Sequence, residues 1–140
     1  MKASARETSL SALWVGLSKP DGSLLHEIFR KAGWRLFAVH ERRRALSCLA
    51  RHAVQVVIAE KELPDWNWKT VLGDIRLLAS PPQLIVTSRD ADDYLWAEAL
   101  NVGAYDVLAQ PLDRDEVERV VASARRHFEA GPPRTAAMSA

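Results

Sequence analysis

VQVVIAEKELPDWNW, residues 54–68, decides how the chain is to be read. Residues 54–59 are apolar and β-branched apart from Gln55 and Ala59, and they run straight into Glu60. A short apolar run bounded by turn residues marks a strand buried on both faces, as in a parallel sheet. Glu60 then stands at the carboxyl end of a central strand, the end at which open α/β sheets bind ligands. Leu63-Pro64-Asp65 supplies the turn. Asn67 can cap a following helix whose inward stripe is Trp68, Val71, Leu72, Ile75 and Ala79.

The same alternation extends in both directions. Upstream, residues 10–17 (LSALWVGL) read as a first buried strand. Pro20 suits the first turn of a helix capped by Ser18 or Lys19, and Gly33 closes it. The stripe of that helix is Leu24, Leu25, Ile28, Phe29 and Ala32. Residues 34–39 form a second, shorter strand. Residues 41–52 form a helix with Ala45, Leu46, Cys48 and Leu49 inward and Arg42, Arg43 and Arg44 at its start. Downstream, Pro81-Pro82 ends the third helix and residues 83–88 (QLIVTS) make a fourth strand. A helix over residues 90–102 is closed by Gly103, and residues 105–109 give a fifth strand. Asp113 and Glu116 have capping-box spacing before a last helix bearing Val117, Val120, Val121, Ala124 and Phe128. Gly131-Pro132-Pro133 stops it. Five strands alternating with five helices predict an α/β fold in three layers, a five-stranded parallel sheet covered on both faces.

The totals describe one ordinary globular domain of 140 residues, 48% hydrophobic and 26% charged. Nineteen basic and eighteen acidic side chains leave a net charge of +1, so the whole-chain balance points to neither nucleic acid nor membrane. No apolar run approaches the roughly 20 residues that span a bilayer, and the start, MKASARETS, lacks the apolar core of a secretion signal. A single cysteine, Cys48, fits a reducing cytoplasm. Residues 1–9 and 130–140 are expected to be flexible tails around a domain at 10–129.

Several spacings converge. Leu63-Pro64-Asp65 follows three residues after the strand-end carboxylate. Residues 82–88 (PQLIVTS) end in Thr87 and Ser88. Ala99-Leu100, Gly103-Ala104 and Pro111 succeed one another at fixed distances. In this order, residues 10–129 resemble the receiver domain of response regulators. The resemblance implies a flavodoxin-like strand order of 2-1-3-4-5 and a cis Gln110–Pro111 peptide. It also implies a pocket in which a histidine kinase phosphorylates an aspartate after the third strand. Two acidic residues after the first strand hold Mg²⁺ there, since that ion takes hard oxygen ligands in an octahedron. A hydroxyl after the fourth strand and a lysine before the proline bind phosphoryl oxygens.

Carried over position by position, that pocket is degenerate. The acidic pair matches Leu17 and Ser18, the acceptor Glu60, the hydroxyl Thr87 (or Ser88, the spacing to Gly103 being one residue longer than usual), the lysine Gln110 and the aromatic switch position Val107. Mg²⁺ binding is therefore expected to be weak or absent, with no cofactor and no metal site. Glu60 also moves its carboxylate out by about 1.5 Å, when a misplacement of about 1 Å can cost around a hundredfold. A pseudo-receiver acting by protein contacts is the favoured reading. A phospho-accepting receiver with atypical ligands is the second. A small hydrolase-like enzyme using Glu60 and Thr87 is the third, and it lacks a nucleophile–base–orienter set.

The remaining conspicuous residues are expected to be structural. Glu62 reads as a solvated loop carboxylate, and His26, His40, His52 and His127 lack ligand spacing. Cys48 reads as a small core residue, and Arg42-Arg43-Arg44 as a solvated face. Trp68 belongs to the third helix's stripe, whereas Trp66 has no such place and is free to lid the pocket or dock a partner. Trp96, with Leu100 one turn on, is expected to be exposed. With Val107 it would mark a face of the fourth helix, fifth strand and fifth helix for a protein partner or a second copy of the chain.

Overall fold

The structure, a computed structural model, describes residues 10–131. The elements are β1 (Ser11–Val15), α1 (Lys19–Ala32), β2 (Arg35–Val39), α2 (Arg42–Arg51), β3 (Val56–Glu60), β4 (Glu62–Leu63), β5 (Trp66–Asn67), α3 (Trp68–Ile75), β6 (Gln83–Ser88), α4 (Asp93–Val102), β7 (Asp106–Ala109) and α5 (Arg114–Ala130). Five strands form one sheet in the order β2-β1-β3-β6-β7, and every pairing in it is parallel. Counted by sheet strands alone this is 2-1-3-4-5, the order the resemblance implied, and the parallel pairing is what the alternation predicted. Of the expected tails, residues 1–9 and 132–140 lie outside the described residues, while Ala130 still belongs to α5.

Successive strand residues point to opposite faces, and this builds two cores. Leu13, Val57, Val86 and Val107 pack with Ala45, Leu49, Trp68, Val71 and Ile75 beneath α2, α3 and α4. Trp14, Ile58, Ile85 and Leu108 pack with Leu25, Ile28, Phe29, Val117 and Val121 beneath α1 and α5. Helix ends follow local chemistry. Ser18 caps α1 by accepting from the Asp21 N–H at 3.4 Å, and Gly33 closes it at φ 76°, which glycine adopts without the Cβ clash of other residues. Asn67 and Thr70 form a full capping box on α3. At α5, Asp113 accepts the Glu116 N–H at 3.0 Å, one half of the box the spacing suggested.

Three expectations shift. The fourth helix begins at Asp93 rather than residue 90, because Asp92 turns out as its cap and accepts the Leu95 N–H at 2.8 Å. Helix α3 ends at Ile75, so Ala79 is past its stripe. Between β3 and α3 the turn is an antiparallel hairpin, Glu62 against Asn67 and Leu63 against Trp66. That hairpin rolls Trp66 into the core at 3% exposure, and its indole N–H donates to Asp74 Oδ2 at 2.9 Å. Trp66 is therefore neither lid nor docking residue. The Gln110–Pro111 peptide is cis.

Candidate functional site

Parallel strands all end on one side of the sheet, which brings the ends of β1, β3, β6 and β7 together. Glu60 and Thr87 are register partners there. Leu17 and Ser18 leave β1 beside them, and Gln110 follows β7. These five residues, with Lys61, Glu62, Ser88, Arg89 and Asp90, line one open cavity of about 490 Å³. The grouping drawn from the sequence is thus one place in space.

Glu60 reaches across that cavity toward β1. Its Oε1 accepts the Leu17 N–H at 2.8 Å, and its Oε2 accepts the Ser18 N–H at 3.1 Å. Gln110 Nε2 donates to the same Oε2 at 3.2 Å and to Asp21 Oδ2 at 2.6 Å. Asp21 in turn accepts the Leu112 N–H at 3.0 Å. One amide nitrogen therefore bridges two carboxylates, tying the β1–α1 loop, the end of β3 and the segment after β7 into a single network. Asp21 is 3% exposed, and it sits in the first turn of α1, where the helix dipole favours negative charge. Sequence reasoning missed Asp21. An acidic residue just inside a helix start carries no signal beyond that dipole preference, and its partners lie 89 and 91 residues away.

The hydroxyls divide. Ser88 Oγ accepts the Asp90 N–H at 3.0 Å and is occupied by its turn. Thr87 is fully buried, and its Oγ1 has no hydrogen-bond partner in the structure. Glu60 thus engages the β1 side of the cavity and leaves Thr87 alone. Removing Asp21 would leave the buried Leu112 N–H without its acceptor and Gln110 with Glu60 alone. Asp21→Ala is accordingly expected to cost about 1–3 kcal/mol, the penalty of buried unpaired donors, read as a lower urea midpoint. An unchanged midpoint would show the network to be idle.

The donor set does not suit Mg²⁺. Leu17, where an acidic ligand would stand, is apolar, and the Ser18 hydroxyl is committed to capping α1. Glu60's carboxylate is already held by three N–H donors. No group of three or more His, Cys, Asp or Glu side chains able to hold a metal occurs among the described residues.

On the proposed partner face, Trp96 is half exposed and Leu100 partly so. Val107 is different: it is 8% exposed and packs in the core under α4, since its alternation in β7 turns it inward. Tyr94 and Val102, which the sequence reading passed over, are exposed on the same helix. No helix among the described residues is long and apolar enough to cross a membrane.

Comparison with known proteins agrees with this architecture. Residues 22–122 match the model of the response regulator receiver domain. The transcriptional regulatory protein KdpE of Mycobacterium tuberculosis (strain ATCC 25618 / H37Rv) is 32% identical over 100 residues, 70% of this chain and 43% of that protein. The chain thus spans less than half the length of that relative. Sporulation initiation phosphotransferase F of Bacillus subtilis (strain 168) is 22% identical over 98 residues, 70% of this chain and 79% of that one. Among solved structures, the signal receiver domain of an HD domain-containing protein from Pseudomonas fluorescens Pf-5 superposes with a TM-score of 0.77 at 25% identity. That match covers 87% of this chain and 98% of the other.

Proposed function

Because this chain belongs to the response regulator receiver family, we propose that it is a two-component or phosphorelay signalling module that is not phosphorylated and acts by protein contacts. The observation that carries this reading is the set of groups around Glu60. Its carboxylate is taken up by the Leu17 and Ser18 N–H groups and Gln110, so the acceptor position is filled by an internal hydrogen-bonded anchor. Phosphoryl transfer depends on charge neutralisation and positioning, and here Leu17 and Gln110 contribute no charge. The module performs no catalysis of its own on this reading, and it works in the cytoplasm, where its family's kinases present their phosphoryl groups. Mass spectrometry of the chain after exposure to a small-molecule phosphodonor and Mg²⁺ tests it directly.

A site that does not toggle leaves the output face fixed. Trp96, half exposed, and Leu100, partly exposed one turn on along α4, suit a permanent contact with a protein partner or a second copy of the chain. Centring a Trp in such a contact can contribute about 2 kcal/mol, roughly thirtyfold in affinity. Trp96→Ala is expected to leave the thermal midpoint nearly unchanged while weakening self-association in sedimentation experiments by about that factor. Equal association of the two proteins would remove the anchor from this face.

A further inference from the structure

The near-neutral total hides a segregation of charge. Residues 35–52 (RLFAVHERRRALSCLARH) hold five arginines against one glutamate, so the rest of the chain is acidic on balance. This stretch is β2, which is the free edge of the sheet among the described residues, together with the helix α2 that leans over it. We infer that this edge is a docking site for an acidic, extended peptide segment of a partner protein, which would add to the sheet beside β2.

The backbone supplies the first part of the site. In a parallel strand, alternate residues direct their N–H and C=O groups to the same neighbour. The Arg35 N–H bonds Leu10 O at 2.7 Å, and Val39 O accepts the Gly16 N–H at 3.2 Å, so Arg35, Phe37 and Val39 face β1. By the same alternation, Leu36 and Ala38 direct theirs outward. An added strand meets such groups with its own main chain, and specificity then comes from alternate side chains.

The side chains supply the second part. A groove of about 420 Å³ runs along residues 36–39 and is walled on the α2 side by Arg44, Cys48 and Arg51. Its floor is Phe37, stacked on His52 at 4.4 Å, with the Arg35 guanidinium 5.2 Å above the ring. Phe37 and Val39 belong to the α2 side of the sheet, so Arg35, Arg44 and Arg51 crowd one side of the edge. Arg35 and Arg51 have no carboxylate within ion-pairing distance among the described residues, and Arg44 pairs with Glu41 at the rim at 3.3 Å. Alternate residues of an added strand fall on one face about 7 Å apart, which puts carboxylates at every second position among these guanidinium groups. A second copy of this chain would bring arginine to arginine. The phosphate backbone of a nucleic acid, which the arginines would draw in, carries no N–H groups to meet the outward carbonyl groups of Leu36 and Ala38.

The test is an amide NMR titration of the full chain with a short peptide of alternating threonine and glutamate. Shifts centred on Leu36, Ala38 and α2 are expected. The double variant Arg44→Glu, Arg51→Glu should weaken the peptide by about tenfold or more. A lysine-for-glutamate peptide, and the acidic peptide N-methylated on its strand-facing amides, should both fail to bind. The inference is overturned if the acidic peptide leaves the β2 signals unmoved, or if the N-methylated peptide binds as well. It is equally overturned if oligothymidylate occupies the edge more tightly than the peptide, or if the β2 signals shift with protein concentration alone. None of these outcomes depends on whether Glu60 can be phosphorylated.

Discussion

Incubated with acetyl phosphate and Mg²⁺, the chain is expected to gain no phosphoryl mass, and Glu60→Asp alone is expected to gain none either. An aspartate at 60 would have an acceptor of the right length but would still face Leu17 and Ser18, whose contribution to the pocket is two backbone N–H groups rather than two carboxylates. Mg²⁺ needs hard oxygen ligands in near-octahedral array, and shortening one side chain supplies none. The informative variant changes four positions together: Leu17→Asp, Ser18→Asp, Glu60→Asp and Gln110→Lys. Aspartate is as good an N-cap as serine, so α1 should keep its start. Lysine at 110 would lie between Asp21 and position 60, where Gln110 Nε2 now sits within 2.6 Å and 3.2 Å of two carboxylates. Thr87, buried with its hydroxyl unpartnered, is left unchanged in this variant as the expected donor to a phosphoryl oxygen. A phospho-adduct on the fourfold variant and none on the parent is the expected pair of results. An adduct on the parent that maps to this pocket would sink the non-phosphorylated reading and favour the atypical working receiver.

Trp66→Ala is expected to be the most damaging single change away from that pocket. The ring is 3% exposed within the core beneath α3, so its removal leaves a cavity that neighbouring Trp68 and Leu72 cannot close without moving. Large-to-small changes of this kind cost about 3–5 kcal/mol. For a domain of this size that lowers the thermal midpoint by roughly 10–15 °C. The indole N–H adds a polar link, because Asp74 Oδ2 accepts it at 2.9 Å and also accepts Arg42 Nε at 3.1 Å. Trp66→Phe isolates this link. It keeps most of the buried area, leaves Asp74 paired with Arg42, and should cost only about 1 kcal/mol. A loss of a few tenths for Trp66→Ala would mean that the ring lies on the surface and that the hairpin of β4 and β5 is misplaced.

The two tryptophans near Glu60 show how far pattern reaches. Trp68 falls on the stripe of α3 and was legible as core, since helical periodicity is a local property. Trp66 falls on no stripe. Its burial depends on a two-residue antiparallel pairing too short to leave an alternation pattern, and on Asp74, which sits on the next helix. Val107 shows the opposite error. Its family position suggested a place on the output face, but in this chain β7 turns it beneath α4.

The sequence alone determined the alternation of five strands and five helices, the parallel sheet, a start of α1 at Ser18 or Lys19 and a start of α3 at Asn67. Each of these follows from periodicity, capping chemistry or turn residues acting over a few positions. The strand order and the list of residues around the strand ends came instead from the resemblance to the receiver family, carried over position by position. Only the tertiary structure decided what those residues do to one another. That Glu60 turns to the Leu17 and Ser18 amides rather than to Thr87 depends on contacts 43 and 42 residues apart in sequence. That Gln110 is held by Asp21 depends on one 89 residues apart. Side-chain direction at such range is set by which donors the fold leaves unpaired nearby, and unpaired donors exist only once strands, loops and helix ends are in place.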